Sequence, residues 1–399
     1  MKKTIAIIGG GASALMLASC LDTNKFDVTI YERNFALGRK FLVAGDGGFN
    51  LTHSEDPSLL VTRYTPSSFF QPLIQNFNNA DFRNWLKQIG IPTYVGSSKR
   101  VFPEKGIKPI TVLNAILKLL KQRNVNIRTQ HTWKGWLSNQ QLIFNTAEGD
   151  IFVNADITVF AVGGASWKIT GSDGNWLQHF KEKDILTIPF QASNCAYEIN
   201  WPKEFIEKCE GKSLKNISLT CNTIEKKGEL VITKFGLEGN AIYSLSPEIR
   251  KELTLQGFAT IYIDLKPSLK VETILEKIKK RGNKSLSKQL ENEININTFQ
   301  LSLLKHTLLK EEFIDPSVLS YKIKRLPLKI VNSAPMDEAI STVGGINLNE
   351  ITENFELKKL PGHFVIGEML DWDAPTGGYL LQGCFTFGCT LAAYLNSSS

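Results

Sequence analysis

Residues 5–32, IAIIGGGASALMLASCLDTNKFDVTIYE, decide the fold of this chain. The apolar run at 5–8 predicts a buried parallel strand, and the three glycines after it predict a tight turn into a helix with an apolar stripe. A second strand at 28–31 ends in Glu32. Strand, glycine-rich turn, helix, strand and acid in this order predict a dinucleotide-binding β–α–β unit.

The glycine-rich turn provides the contacts that a dinucleotide requires. Its glycines let the backbone approach a pyrophosphate, which rests on the free N–H groups of the helix N-terminus. An acidic side chain at the end of the second strand accepts hydrogen bonds from the adenosine ribose. We therefore expect cofactor contacts at Gly9, Gly11, Ala12, Ser13, Ala14, Glu32 and Arg33.

The same N-terminal residues also imitate a lipoprotein signal peptide, because Lys2 and Lys3 precede an apolar stretch that reaches Cys20. Three consecutive glycines are unusual in the apolar core of such a peptide, and cleavage would destroy the unit that Glu32 completes. We expect the segment to belong to the folded domain and the protein to be cytoplasmic.

Length and composition indicate a soluble globular protein of two or three domains, with 399 residues, 42% hydrophobic and 21% charged. No apolar run approaches the ~18 residues of a membrane span. The six cysteines include no CxxC pair and the five histidines are scattered. We therefore expect neither a metal site nor a dithiol redox centre.

The strand patterns predict a discontinuous α/β fold. Residues 1–190 and 328–399 are expected to form a Rossmann-like, three-layer ββα domain, with a buried strand at 156–161. Residues 191–268 with 319–327 predict an inserted β domain, and the charged helices over 269–318 predict a helical subdomain.

The far end of the chain favours FAD over NAD as the resident dinucleotide. The chain has one GxGxxA motif, and after the insertion it adds a strand at 364–366, a glycine turn at 376–379 and a last helix over about 382–395. Such a turn brings N–H groups and a positive helix end to the N1/O2 edge of an isoalloxazine, where negative charge collects on reduction. A structural glycine turn is the alternative. With no evident attachment site, we expect the FAD to be non-covalent.

Five motifs lie in order along the chain: GRKFL (38–42), GGFNLTH (47–53), RVFP (100–103), GELVITKFG (228–236) and GEMLDWDAPTGGY (367–379). Together they resemble the bacterial BaiN/RdsA-type NAD(P)/FAD-dependent oxidoreductases. The resemblance implies an FAD domain built from both ends of the chain, an inserted β-barrel-like domain and a small helical domain. Members are assigned reduction of activated carbon–carbon double bonds, amine oxidation or uridine reduction in ribosomal RNA, so membership predicts the cofactor better than the substrate.

The chain departs from the common pattern of that family at two places. Many members have Arg-Cys where this chain has Gly48-Phe49, and a histidine often follows the threonine that corresponds to Thr233, where this chain has Lys234. The loop Gly-Gly-x-Asn-Leu-Thr-His resembles an uncharacterised subgroup. These departures weaken any transfer of substrate.

Further cofactor contacts are expected after the predicted strands. Arg39 and Lys40 are placed to neutralise pyrophosphate, while Glu368 is placed to bind ribityl hydroxyls; a solvated pair and a helix cap are the competing interpretations. The full set of these expected contacts is Arg39, Lys40, Gly45, Asn50, Thr52, Ala161, Gly163, Gly164, Gly367, Glu368, Asp371, Thr376, Gly377, Gly378 and Tyr379. No catalytic residue is identified by motif; the candidates are Arg100, Lys234 and Tyr379, the last of which also suits packing under the final helix.

The expected function is FAD-dependent reduction of an activated C=C bond with electrons from NADH or NADPH, which bind transiently because the chain has one nucleotide domain. Three alternatives remain open: a flavin oxidase of a small amine, a uridine-reducing enzyme acting on ribosomal RNA, and a non-catalytic FAD-containing RNA-binding protein. No membrane or DNA partner is expected.

The positive charge of the chain is concentrated in the predicted insertion. Residues 191–329 contain 23 Lys and Arg against 17 Asp and Glu, which leaves +6 of the total +7. A basic helical face is most often solvated surface, and the alternative is contact with RNA. The residues of that predicted RNA contact are Lys277, Lys279, Lys280, Arg281, Lys284 and Lys288.

Overall fold

The computed structural model describes residues 1–43, 49–280 and 285–398. The chain forms two compact units: unit 1 consists of Met1–Gln191 and Ile340–Ser399, and unit 2 is Ala192–Ala339. In the described ranges, no helix is both long enough and apolar enough to cross a membrane.

The strands fall into one parallel sheet and several antiparallel ones. In chain order they are β1 (Lys3–Ile8), β2 (Phe26–Tyr31), β3 (Thr52–His53), β4 (Thr93–Val95), β5 (Arg100–Pro103), β6 (Asn126–Arg128), β7 (Thr132–Trp136), β8 (Leu142–Thr146), β9 (Gly149–Val153), β10 (Ile157–Phe160), β11 (Thr187–Ser193), β12 (Tyr197–Glu198), β13 (Ser213–Cys221), β14 (Ile224–Ile232), β15 (Gly236–Glu238), β16 (Ala259–Asp264), β17 (Leu326–Ile330), β18 (Asn332–Ser333), β19 (Ser341–Ile346) and β20 (His363–Val365).

The helices range from single turns to the long C-terminal helix. In chain order they are α1 (Ala12–Cys20), α2 (Arg39–Val43), α3 (Pro57–Val61), α4 (Ser67–Asn76), α5 (Asn79–Gln88), α6 (Pro109–Gln122), α7 (Leu177–Lys181), α8 (Lys203–Cys209), α9 (Asn240–Tyr243), α10 (Ser246–Gln256), α11 (Val271–Lys279), α12 (Leu286–Ile294), α13 (Thr298–Thr307), α14 (Lys310–Ile314), α15 (Pro316–Lys324) and α16 (Tyr379–Ser397). Short 3₁₀ turns lie at Lys168–Thr170, Met336–Glu338, Leu348–Glu350 and Gly367–Met369.

Unit 1 is built on a parallel sheet with the order β20-β10-β1-β2-β6. The inner strand β1 is buried over residues 5–8, as expected for a strand covered on both faces. The antiparallel sheet β7-β8-β9 packs on this sheet through aromatic contacts such as Tyr31 with Phe144, whose ring centroids are 4.5 Å apart. With the helices, these sheets form a Rossmann-like α/β domain, as the sequence predicted.

Two glycines of unit 1 are required by close backbone approach. Gly9, at the end of β1, has φ +97°, and a Cβ there would lie 2.5 Å from the carbonyl oxygen of Ala161. Gly388 lets α16 approach α1, because a Cβ there would lie 2.6 Å from the Ser13 carbonyl oxygen. The first glycine of the turn therefore lies against the backbone that follows β10, and the last helix lies against α1.

Unit 2 contains a mostly antiparallel sheet with the order β17-β16-β13-β14-β15-β12-β18. Its two outermost members, β17 and β18, are consecutive parts of one extended stretch at 326–333, and Val331 N–H donates to the Glu198 carbonyl between them. This stretch closes the sheet on itself, which gives the expected barrel-like form and leaves few free strand edges. The helices of the stretch 269–318 share unit 2 with the sheet, and their separation as a subdomain stays a prediction.

Two boundaries differ from the sequence-based expectation. The chain re-enters unit 1 at Ile340 and not at residue 328, because β17 and β18 pair with strands of unit 2. The last helix begins at Tyr379 and not near residue 382, because Gly378, with φ +98°, serves as its N-cap directly after the glycine turn. The glycines therefore start the helix one turn earlier than its apolar stripe suggests.

Candidate functional site

A cavity of about 710 Å³ lies in unit 1 at the carboxyl ends of β1, β2 and β10. This is the edge where open α/β sheets bind ligands, and the volume is within the usual ~300–1,000 Å³ of cofactor and ligand sites. The N-terminal glycine turn lines it, and so does the C-terminal turn at Thr376, Gly377 and Gly378. The two ends of the chain therefore contribute to one site.

The start of α1 has the form of a phosphate cradle. Gly11 is its N-cap, no side chain caps it, and its first turn contains no acid. The first N–H groups of such a helix have no partner within the helix and attract an anion. A Cβ added at Gly11 would meet no protein atom within 4 Å. Glycine here leaves space at the cavity wall, as a closely approaching ligand requires.

Glu32 holds the turn from the end of β2. Its Oε2 accepts from Gly10 N–H at 2.7 Å, and its Oε1 accepts from the backbone N–H and the side-chain amide of Asn34, both at 2.8 Å. The side chain is buried and lines the cavity. A carboxylate has about four lone-pair positions, so Glu32 retains capacity for a ligand hydroxyl.

The start of α16 forms the opposite part of the wall. Gly377 and Gly378 have φ +114° and +98°, no side chain caps the helix, and its first turn contains no acid. A Cβ at Gly378 would lie 2.6 Å from the backbone of Thr52, so a larger residue does not fit. The cavity thus has uncapped helix N-termini at two places.

The charges around the cavity favour a dianionic ligand. Of the described lining residues, five are basic and three acidic, which leaves two positive charges. The basic residues are Arg33, Arg39, Lys40, Arg100 and Lys134, and the acidic ones are Glu32, Asp173 and Glu368. A pyrophosphate diester carries two negative charges, so this balance fits a dinucleotide.

Lys40 and Glu368 bind each other. Lys40 Nζ lies 2.9 Å from Glu368 Oε2 and donates to Ser166 Oγ at 2.8 Å. Glu368 also accepts from the Thr342 N–H at 3.3 Å. Lys40 therefore fixes the Glu368 carboxylate, which the sequence analysis assigned to the ribityl chain. The ion pair also neutralises part of the positive charge that Lys40 could offer to a pyrophosphate.

The two arginines near the nucleotide turn differ in their partners. Arg33 forms an ion pair with Asp173 at 3.0 Å. Arg39 donates to Asn34 Oδ1 at 2.8 Å and lies over the Phe35 ring at 5.3 Å from its centroid. Because both Arg39 contacts are with neutral groups, Arg39 is the better candidate of the two for phosphate.

Tyr379 lies in a packed cluster and not in the cavity lining. Its hydroxyl donates to Glu55 at 3.0 Å, and its ring stacks on His53 at a centroid distance of 5.1 Å. Burial, reinforced by the neighbouring Glu55 carboxylate, raises the pKa of the Tyr379 phenol well above its usual value. A proton on this phenol is therefore held firmly at neutral pH.

Most of the expected cofactor residues line the cavity: Gly9, Gly11, Ala12, Ser13, Glu32, Arg33, Arg39, Lys40, Asn50, Ala161, Gly163, Gly367, Glu368, Thr376, Gly377 and Gly378, together with the catalytic candidate Arg100. Ala14, Thr52, Gly164, Asp371 and Tyr379 are not among its described lining residues. Thr52 is fully buried and its hydroxyl contacts Gln382 at 2.6 Å, while Asp371 accepts from Gly344 N–H at 3.0 Å. Lys234 belongs to unit 2, where its Nζ lies over the Phe235 ring, and Gly45 is outside the described residues.

Sequence reasoning missed an aromatic part of the wall. The lining residues without a sequence signal include His131, Trp133, Lys134, Trp176 and His179. Trp176 Nε1 donates to the Gly163 carbonyl, which ties this group to the turn after β10. Aromatic residues in a short sheet and helix are ordinary core residues in a sequence, so only the tertiary structure places them at the site.

Cys384 also lines the cavity. Burial raises the pKa of its thiol to about 12, and the nearby Glu368 carboxylate adds to this. A thiol with a pKa this high is protonated and a poor nucleophile at neutral pH. In the part of the chain that the structure describes, no group of three or more His, Cys, Asp or Glu side chains is arranged to hold a metal ion.

Comparison with known proteins places the chain in a family. The model of the HI0933-like protein Rossmann domain matches residues 3–394. The chain is 24% identical to the 3-dehydro-bile acid delta(4,6)-reductase of Clostridium scindens, over 96% of this chain and 97% of that protein. It is 22% identical to the ribosomal RNA dihydrouridine synthase of Haemophilus influenzae, over 97% of each chain.

Solved structures share the fold at lower identity. The open conformation of a flavocytochrome c3 fumarate reductase matches with a TM-score of 0.55 and 12% identity, over 99% of this chain and 78% of that one. A 3-ketosteroid-delta4-(5alpha)-dehydrogenase from Rhodococcus jostii matches with a TM-score of 0.51 and 13% identity, over 100% and 97%. The resemblance to the BaiN/RdsA-type oxidoreductases is thereby confirmed, and the chain belongs to the HI0933-like family of Rossmann-domain proteins.

Proposed function

We propose that this protein is an FAD-dependent oxidoreductase that binds FAD non-covalently in the unit 1 cavity. The observation that carries the proposal is that two uncapped helix N-termini, at Gly11 and Gly378, lie at one cavity whose described lining residues have a net charge of +2. One helix start suits the pyrophosphate and the other suits the electron-rich edge of an isoalloxazine.

The residues of the cavity have distinct expected roles. Gly11 and the N–H groups of α1 would hold the pyrophosphate with Arg39, and Glu32 would accept from the ribose. Glu368, held by Lys40, would orient the ribityl chain. The bound flavin would supply two-electron chemistry, while the chain supplies position and a positive field.

The proposed reaction is reduction of a carbon–carbon double bond conjugated to a carbonyl, with NADH or NADPH as electron donor. Two relatives support it by their names: a delta(4,6)-reductase of 3-dehydro-bile acids and a dihydrouridine synthase both denote saturation of such a bond. The common feature is the acceptor bond and not the molecule that carries it. Oxidation of a small amine with oxygen is the competing reaction.

The first test is spectroscopic. Protein purified without added cofactor should show the visible flavin absorbance with one FAD per chain, and all of it should pass a filter after denaturation. Colourless protein that takes up no FAD on titration would overturn the cofactor proposal. Flavin that remains with the denatured chain would overturn the non-covalent mode.

The second test concerns the reaction. Under anaerobic conditions NADH or NADPH should bleach the flavin, and a steroid with a conjugated 3-oxo-4,6-diene should restore its absorbance. Restoration only by air in the presence of an amine would establish an oxidase instead. A flavin that is reduced neither by NADH or NADPH nor by an amine would indicate a structural cofactor.

Uridine in ribosomal RNA is a second candidate substrate, favoured by exposed cations of unit 2. Lys279, Lys280 and Lys288 are exposed, whereas Lys277 donates to the carbonyl of Glu293 and is less available. Arg281 and Lys284, which complete the predicted RNA contact, lie outside the described residues.

RNA binding through these cations should be steeply salt-dependent because it releases counterions. A gel-shift titration with ribosomal RNA fragments should show weaker binding by Lys279→Gln/Lys280→Gln/Lys288→Gln. A matched triple variant in unit 1, Lys87→Gln/Lys105→Gln/Lys118→Gln, removes the same charge and should bind as wild type. Equal binding by both variants would leave the basic face as solvated surface.

A further inference from the structure

A polar cluster lies beside the C-terminal turn of the cavity. Glu55 is its centre: it accepts from the Tyr379 hydroxyl and from two nitrogens of Arg63, with Nε at 3.0 Å. The His53 ring stacks on the Tyr379 ring. On β5, Arg100 is the register partner of His53 and also lines the cavity. The cluster therefore adjoins the residues that would support the isoalloxazine.

One ring nitrogen of His53 has an unused hydrogen-bonding position next to a carboxylate. Its Nδ1 is buried and has no hydrogen-bond partner among the described residues, yet it lies 3.8 Å from Glu55 Oε2. The ring also hydrogen-bonds to the Ser98 backbone. In the neutral tautomer with hydrogen on Nε2, the Nδ1 lone pair faces a carboxylate oxygen, which is unfavourable. A proton on Nδ1 converts the same contact into an ion pair.

The groups around His53 oppose one another. Burial lowers the pKa of His53 and the cations Arg63 and Arg100 act in the same direction, whereas the Glu55 carboxylate raises it. Glu55 is shared with Arg63 and with the Tyr379 hydroxyl, which weakens its effect on the imidazole. The net effect lowers the pKa of His53 and so favours the neutral ring, while the Glu55 carboxylate lies close enough to pair with the imidazolium. A negative charge added in the cavity beside Arg100 and Gly377 acts directly against the cations that hold it neutral.

We propose that His53 is a redox-linked proton site: its Nδ1 takes up one proton from solvent when an electron pair enters the flavin, and releases that proton on reoxidation. The inference rests on the proposed function, since it requires FAD in the cavity. The electrons come from the nicotinamide donor or a chemical reductant, and the proton on His53 is additional to any that the flavin itself binds. Glu55 stabilises the imidazolium, and Tyr379 holds Glu55 in place. Such a site keeps the local charge balanced during the reaction.

The test is the pH dependence of the flavin midpoint potential, measured against reference dyes. Each proton taken up with an electron pair contributes about 30 mV per pH unit to the slope, because a tenfold change in an equilibrium constant corresponds to about 30 mV for a two-electron couple. Over about pH 6.5–8 the wild-type slope should exceed that of His53→Gln by this amount. Gln retains an N–H donor for the Ser98 carbonyl but does not titrate. His306→Gln, in unit 2 beside Phe205, is the matched control and should keep the wild-type slope.

Equal slopes for wild type and His53→Gln, with the flavin still bound, would overturn the inference and leave the proposed function intact. A protein without flavin would instead sink the proposed function. Should His53→Gln fail to fold, the imidazole NMR signals of the wild-type protein decide the matter. The chemical shifts of His53 should be those of a neutral imidazole in the oxidised protein at pH 7 and those of an imidazolium after anaerobic reduction. An imidazole that remains neutral in both states would refute the proton uptake.

Discussion

Replacing Glu32 by Ala tests how the nucleotide turn is held. Glu32 accepts three hydrogen bonds in the structure, one from the buried backbone N–H of Gly10 and two from Asn34. Gly10 and Asn34 both line the cavity, so water can replace part of the lost contacts in the cofactor-free protein. The variant nevertheless leaves the Gly10 N–H without its protein acceptor and frees the turn before α1.

The structure permits an estimate of both effects of this substitution. A hydrogen bond to a charged group contributes about 1.5–3 kcal/mol, and the buried Gly10 N–H should account for most of the loss in the cofactor-free protein. For a domain of this size, 1 kcal/mol lowers Tm by about 2–4 °C, so we expect a decrease of about 3–12 °C. Loss of the ribose contact should weaken FAD by a further ~1.5–3 kcal/mol, roughly tenfold to 150-fold in Kd.

The two effects separate in one experiment. Thermal unfolding of the cofactor-free protein reports the turn alone, and fluorescence titration with FAD reports the ribose contact. Asp27→Ala is the matched control, because Asp27 lies on β2, the strand that precedes Glu32, is exposed and accepts one long hydrogen bond from Asn126. It should change stability by no more than ~0.5 kcal/mol. Wild-type Tm in cofactor-free Glu32→Ala would refute the role in the turn, and unchanged FAD affinity would refute the ribose contact.

Three further substitutions and conditions have definite expected outcomes. Gly378→Val should destabilise the protein by at least ~1–3 kcal/mol in urea unfolding and shift the flavin potential, because its φ is +98° and the neighbouring backbone blocks a Cβ; wild-type values of both would contradict this. Lys40→Met should cost about 1–3 kcal/mol by leaving Glu368 unpaired, and adding Glu368→Gln should recover part of it; additive losses would exclude the coupling. Stability should decrease as the pH drops below 6.5, because burial lowers the pKa of His363 and its Nε2 accepts from Trp136 N–H only when the ring is neutral. Well above pH 6.5 the stabilisation by the neutral His363 ring is complete. Urea unfolding at pH 5.5 and 7.5 should therefore show a smaller change in stability for His363→Gln than for wild type.

The N-terminal unit could be predicted from sequence because its signals are local. The apolar run of β1, the glycines and Glu32 lie within 28 residues and are constrained by one turn geometry. The glycine turn before α16 is local in the same way, and only its helix start was misplaced. In these segments the backbone conformation itself requires the residue types that the sequence displays.

The pairing of side chains could not be predicted, because it depends on residues far apart in the chain. Lys40 and Glu368 were each assigned to the cofactor, yet they are 328 positions apart and bind each other. Tyr379 was considered beside the flavin, but a carboxylate at Glu55 draws its hydroxyl into the cluster. Thr52 was also expected to contact the cofactor, but its hydroxyl binds the side chain of Gln382 instead. A polar side chain near a predicted site binds whichever partner the fold brings within reach, and a single sequence does not reveal that partner.

The strands at which the chain enters and leaves unit 2 lie side by side. β12 pairs with β18, and the Ala334 N–H donates to the Ala196 carbonyl at 2.8 Å. β11, which ends two residues inside unit 2, likewise pairs with β19 of unit 1. Topologically, the 148 residues of Ala192–Ala339 are therefore an extended hairpin loop, grafted where a short turn would also close the chain. Because its two ends are neighbours, this loop could be exchanged for that of a relative while unit 1 keeps its own sequence.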